Sequence, residues 1–280
     1  MNRTVVDGLG FPEGPRWHDG RFWFSDMGQA TVFSCEVDGS DFGAVLHVEA
    51  RPSGLGWLPD GDMLVVSMGE RALLRVRDGE ATKHADMSGL VSADCNDMVV
   101  DGRGNAYVGN AGFDLRERPP KIRPAEVVLV KPDGSAQVVD NEVVFPNGSV
   151  VTPDGKTLIV GESFGNKLTA FDIADDGTLS GRRTWADLPD RAPDGICLDA
   201  DGAVWVANAN ANECVRVKEG GEILQTVSTG DRRCFACMLG GDGRGTLFLC
   251  VAEGFSGDAM HRRTGAIEAV EVDVPGAGWP

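Results

Sequence analysis

One tyrosine, four histidines and no apolar run long enough to cross a bilayer set the first limits on this 280-residue chain. A membrane helix needs about 20 consecutive apolar residues, so no membrane partner is expected. The first residues, Met1-Asn2-Arg3-Thr4-Val5-Val6-Asp7-Gly8, contain no apolar signal-peptide region, which predicts a cytoplasmic protein. Basic residues are also scarce: 26 Lys and Arg face 43 Asp and Glu, for a net charge of −17. That field repels phosphate backbones and anionic lipid, which excludes nucleic acid as a partner class. No G-x-S-x-G occurs and no histidine falls at a predicted site position, which argues against a serine hydrolase.

The cysteines give no framework either. Seven of them, an odd number, are spread without disulfide spacing and read as reduced thiols. Cys234-x-x-Cys237 lacks the two further ligands that zinc requires and the βαβ helix that a redox pair requires, so it reads as strand residues. The acidic stretches DIADDG (172–177) and DADG (199–202) lack the spaced ligands and final Glu of an EF-hand.

What the chain has is glycine, 38 in all, and a repeated context for it. Asp19-Gly20, Asp60-Gly61, Asp101-Gly102, Asp154-Gly155, Asp201-Gly202 and Asp242-Gly243 each sit just before a short apolar strand-like run, at spacings of 41 to 53 residues. Asp-Gly between alternating apolar runs is a strong hairpin signal, because both central residues of a type I′ turn need φ > 0. A second set of turns falls half a repeat later, at Asp38-Gly39, Asp78-Gly79, Asp133-Gly134, Asp176-Gly177, Gly220-Gly221 and Thr264-Gly265. Each repeat therefore holds four strands, A to D, which is the period of a propeller blade. The reading is all-β: one six-bladed β-propeller domain over residues 1–280. Its last repeat lacks a fourth strand, which Arg3–Val6 is expected to supply, closing the ring and removing an exposed sheet edge.

In such a ring strand A lies nearest the axis, so the residue just before it is expected to point at the mouth of the central channel. Counting back from each A–B turn gives Glu13, Ser53, Asn96, Asn147, Asp194 and Phe235. Four of these are Glu, Asn or Asp, each flanked by Pro, Gly or Asp. Asn and Asp at strand starts often only cap turns, but four at one rank of the repeat point to a shared site. Crowded carboxylates repel unless a cation sits among them, and carboxylate plus amide oxygens suit a hard divalent ion. The longest B–C connection, about 112–125 in the third repeat, lies at the same mouth and reads as a binding loop. Met27, Met68, Ser163, Phe164, Asn208, Asn210 and Phe255 are expected around it, as in a small-molecule pocket.

FPEGPRW with FWFSDM, CNDMVVDGRGNAYVGN, FPNGSVVTPDGKTLIVGES and APDGICLDADGAVWVAN together resemble the SMP-30/gluconolactonase/luciferin-regenerating-enzyme family, in order and over essentially the whole chain. The resemblance implies a six-bladed propeller with one divalent cation, mostly acting on lactones. Ca²⁺ is the first choice of ion, with Mg²⁺, Mn²⁺, Zn²⁺ and Fe²⁺ admitted. It puts the metal ligands at Glu13, Asn147 and Asp194, and a substrate-contacting Asn at Asn96 with Asp97 beside it. It also puts a sugar-contacting acidic residue of the long loop at Asp114, with Phe113 adjacent. Where sugar lactonases of this family often carry Arg, two residues before that Asn, this chain has Asp94. Losing a donor fork there predicts a poor fit to glucono-δ-lactone itself.

The expected activity is metal-dependent hydrolysis of a small lactone by a monomer or small homo-oligomer. The catalytic base is Asp194 as first candidate and Asp97 as second. The alternatives are a phosphotriesterase-like hydrolase on the same site, a non-catalytic metal-binding regulatory propeller and an interaction platform.

Overall fold

The computed structural model describes residues 2–114, 117 and 119–278. Six four-stranded antiparallel sheets follow one another around the ring, each with its strands in sequence order from the inside outwards except the last. The inner strands are Pro12–His18, Pro52–Trp57, Cys95–Val100, Pro146–Val151, Pro193–Leu198 and Arg233–Gly240. The sixth sheet takes its outermost strand from the other end of the chain. Arg3–Leu9 pairs antiparallel with Gly265–Glu271, so the N-terminal strand closes the ring as expected and runs three residues further than expected.

The strands form where the sequence concentrates β-branched and aromatic residues between turn signals. Val204–Asn208, in the second layer of blade 5, is buried at every position, because sheets pack on both of its faces. The core is accordingly a ring of apolar layers between neighbouring blades. One runs from blade 5 through blade 6 to blade 1, where Phe22 stacks on Phe248 with centroids 4.3 Å apart. All seven cysteines are buried and unbridged, Cys234 and Cys237 among them on the blade 6 inner strand.

The A–B turns stand at the expected places, but most are not type I′. Among them both residues have positive φ only at Asp19-Gly20; in the second set both do at Asp78-Gly79 and Gly220-Gly221. At most of the others an Asp side chain organises the turn. Asp154 Oδ1 accepts from the Lys156 amide and Asp199 Oδ1 from the amides of Asp201 and Ala203. This is Asx-turn geometry, in which glycine alone takes the left-handed position. Two further differences concern blade 6. Its third strand is Gly265–Glu271, starting at the second-set turn, and a short helix, Gly257–Arg262, stands in its B–C loop. Among the described residues no helix is long and apolar enough to cross a membrane.

Candidate active site

Every inner strand carries a register irregularity at the same level, and the residues found by counting sit in it. The breaks fall at Glu13/Arg16, Pro52/Leu55, Cys95/Met98, Pro146/Ser149, Pro193/Ile196 and Cys234/Ala236. A bulge bends the strand and re-aims one side chain. Here it is the second residue of five strands: Glu13, Ser53, Asn96, Asn147 and Asp194. These residues therefore lie inside the inner strands and not ahead of them. Glycine follows in four cases because the strands crowd together near the axis. A Cβ on Gly148 would lie 2.5 Å from Asp194 O, and one on Gly195 2.5 Å from Ala236 Cβ. Blade 3 has Asp97 at that rank instead.

Side-chain hydrogen bonds join three of the bulged residues, Ser53, Asn96 and Asn147. Asn96 Nδ2 donates to Asn147 Oδ1 at 2.8 Å, and Ser53 Oγ donates to Asn96 Oδ1 at 3.3 Å. Asn147 Nδ2 donates to Ser163 Oγ at 3.1 Å, and Ser163 Oγ donates to the Pro193 carbonyl at 2.7 Å, next to Asp194 in the chain. Glu13, Asn147 and Asp194 are all buried. Burial, then the charges of Asp194 and Asp97, push the Glu13 carboxyl well above its ordinary value. Burial, then the charge of Asp97, does the same to Asp194. Asp194 Oδ1 is shut off from solvent and has no hydrogen-bond partner among the described residues. An orphaned carboxylate oxygen beside a second destabilised carboxylate and an amide is a donor set that suits a hard divalent cation. Among the described residues no three His, Cys, Asp or Glu side chains form a metal-holding group, so a third protein oxygen would have to come from Asn147.

Counting missed Arg16. At its rank the other inner strands carry Gly56, Val99, Val150, Cys197 and Met238, so a lone arginine there was a legible signal. It is buried, donates from Nη2 to Asp97 Oδ1 at 3.0 Å and to the Met98 carbonyl, and leaves its Nε without a partner. Asp97 Oδ1 also accepts from the Met98 amide at 2.8 Å. Its carboxylate is thus tied on one side by a guanidinium that lies deeper in the channel.

Asn96 opens onto a cavity of about 440 Å³ that Asp94, Phe113 and Asp114 also line. Phe113 is buried and meets Phe164 edge-on at 5.2 Å, while Phe145 stacks on Phe164 at 5.9 Å, giving the cavity an aromatic wall. Met27 instead packs with Phe11, Phe235 and Ala252. Asn208 closes its own loop, accepting from the Ala192 amide and donating to Glu213. Position 94 also differs from expectation. Asp94 does not stand as a bare acceptor, because Arg51 of the neighbouring blade donates to it at 3.0 Å. A guanidinium therefore does reach this cavity, from blade 2 and not from position 94. Leu115, Arg116 and Arg118 of the long loop lie outside the described residues.

The two raised carboxyls give a signed expectation for the metal-free protein. Their folded values lie above the ordinary 4.5 of Glu and 3.8 of Asp. Each therefore contributes stability that is full below the ordinary value and is lost as pH rises through the raised one. The melting temperature of chelator-treated protein should fall from mildly acidic to neutral pH, and a divalent cation should restore it. A metal-free melting temperature that climbs across that window would contradict the buried carboxylate pair.

The SMP-30/Gluconolactonase/LRE-like family model matches residues 11–253. Among curated relatives, regucalcin of Danio rerio is 25% identical over 253 residues, covering 89% of this chain and 78% of that protein. L-arabinolactonase of Azospirillum brasilense is 26% identical over 262 residues, covering 89% and 83%. Among solved structures, a luciferin-regenerating enzyme superposes with a TM-score of 0.83 at 17% identity, covering 98% of this chain and 97% of that one. A gluconolactonase of Xanthomonas campestris superposes with a TM-score of 0.77 at 24% identity, covering 97% and 89%. A regucalcin of Agrobacterium tumefaciens, described as a calcium-binding protein, reaches 0.84 at 18% identity, covering 100% and 96%. The bulged inner strands and the match over 11–253 lead to one assignment: this chain belongs to the SMP-30/gluconolactonase/LRE-like family.

Proposed function

We propose that this protein is a metal-dependent lactone hydrolase, with Glu13, Asn147 and Asp194 as metal ligands. The observation that carries the reading is the buried, unpartnered Asp194 Oδ1 beside Glu13, near Asn147, which is itself hydrogen-bonded to Asn96 at the cavity. The lactonases among its relatives, for L-arabinolactone and gluconolactone, support the same class of reaction. A cation held there would draw electron density from the lactone carbonyl oxygen as negative charge develops on it.

The remaining steps fall to the chain's own groups. Asp194 accepts a proton from water as the water oxygen bonds the carbonyl carbon. The ring C–O bond then breaks, the departing oxygen takes that proton back from Asp194, and a hydroxy acid leaves. Asp194 is the first candidate because its Oδ1 has no hydrogen-bond partner among the described residues. Asp97 is the weaker candidate, because Arg16 and the Met98 amide already occupy one of its oxygens. It serves better as a fixed negative charge. Asn96 lines the cavity and can orient the substrate, while Phe113 and Phe145 give the ring an apolar wall.

Chelator should abolish hydrolysis, and added Ca²⁺ or another divalent ion should restore it. A panel of neutral, hydroxylated and aryl lactones run beside organophosphate esters then tests the bond type. Turnover of the phosphate esters alone would replace this reading with a phosphotriesterase. Metal binding with no turnover of either class would leave a metal-binding propeller.

A further inference from the structure

We infer that the cavity beside Asn96 selects a lactone bearing a carboxylate, an inference that rests on the lactonase reading and names its substrate class. The chain carries a net charge of −17, yet this cavity is lined by Arg51, Arg71, Lys121 and Arg123 against Asp94, Asp114 and Glu117. Two of the cations are already engaged: Arg51 on Asp94 at 3.0 Å and Lys121 on Glu117 at 3.3 Å.

Arg71 and Arg123 are different. Arg71 makes one long contact, from Nη1 to the Val91 carbonyl at 3.4 Å. Arg123 donates from Nε to the Gly112 carbonyl at 2.5 Å. Neither forms an ion pair among the described residues, so both keep guanidinium donors for a guest. Keeping unpaired guanidinium groups at the mouth of a strongly acidic protein makes a local positive site in a negative field. A guanidinium fork matches a carboxylate in geometry and charge.

The walls complete the description. Met68, Phe113 and Phe145 offer apolar surface for a ring, and Asn96 marks the end where the ester carbonyl would point. The guest is therefore a compact lactone whose ring lies on the aromatic wall and whose carboxylate reaches towards Arg71 and Arg123. Arg71 is half-buried and Arg123 exposed, so the preference is moderate and sensitive to salt.

Non-hydrolysable lactams separate recognition from chemistry. The metal-loaded protein is titrated calorimetrically with pyroglutamate and with its uncharged carboxamide. The acid is expected to bind about tenfold more tightly, which is about 1.4 kcal/mol. That preference should shrink in Arg71→Gln, return in Arg71→Lys and narrow as salt is raised. Equal binding of acid and amide, no measurable binding of either, or a preference untouched by both Arg71→Gln and Arg123→Gln would overturn the inference. Hydrolysis of the neutral γ-butyrolactone is followed on the same preparation. Its absence would count against the lactonase reading, and the titration would still judge the cavity on its own.

Discussion

Asp194→Ala, Glu13→Ala and Asn147→Ala are each expected to lose bound metal and at least about a hundredfold to a thousandfold in kcat/KM, the scale seen when one charge-stabilising group is removed from an active site. The fold should survive in all three, because these side chains stand in the bulges of the inner strands, outside the apolar layers between blades. A second readout has the opposite sign. Asp194 is buried, and burial is the main cause of its raised proton affinity, so its charge costs the metal-free fold stability at neutral pH. The near-isosteric Asp194→Asn removes that charge and should raise the metal-free melting temperature by a few degrees, while it lowers activity as severely. Residues selected for a site and against stability behave this way. Metal analysis, kinetics and calorimetry on the same preparations decide the matter. Unchanged metal content in all three alanine variants would refute the ligand assignment, and a lower metal-free melting temperature for Asp194→Asn would refute the buried-charge argument.

The repeat explains why so much of this site was legible. Each blade places its mouth residue at one rank, so a position could be read six times, and Glu13, Asn96, Asn147 and Asp194 emerged from counting alone. The structure adds the reason, a bulge in every inner strand that turns this residue to the axis. Arg16 escaped because attention went to one rank, although it is the one charged residue three positions further in. Arg51 escaped for a physical reason. Its partnership with Asp94 spans 43 residues and two blades, and nothing local announces which arginine will reach an exposed carboxylate. The turn chemistry shows the same limit. Asp-Gly marked the hairpins correctly, but whether Asp takes positive φ or caps the turn with its side chain depends on loop length, which the dipeptide does not encode.

Deleting Arg3–Leu9 should cost far more stability than seven residues usually do. The strand forms the outer edge of blade 6, pairing Arg3 with Ala269 and Leu9 with Gly265. It buries Val6 and Leu9 in the layer that joins blades 5, 6 and 1. Burying two such side chains is worth roughly 3–6 kcal/mol, a large part of the 5–15 kcal/mol that typically holds a domain together. The strand also ties blade 6 to blade 1, where Arg3 Nη2 donates to the Val37 carbonyl at 2.8 Å, and it positions Asn2 just ahead of it, whose Nδ2 donates to the Ser228 carbonyl of blade 5 at 2.9 Å. Its removal uncovers the hydrogen-bonding edge of Gly265–Glu271, which invites pairing between molecules. The expected result is a melting temperature lower by roughly 10 °C or more, with a rise in aggregation. The double variant Val6→Ala/Leu9→Ala separates packing from closure, since it removes the apolar contacts and keeps the strand. If closure matters, truncation will cost clearly more than the double variant, and the missing strand supplied as a peptide will recover part of the loss. Truncated protein that melts with the intact chain would show that the ring holds without this strand.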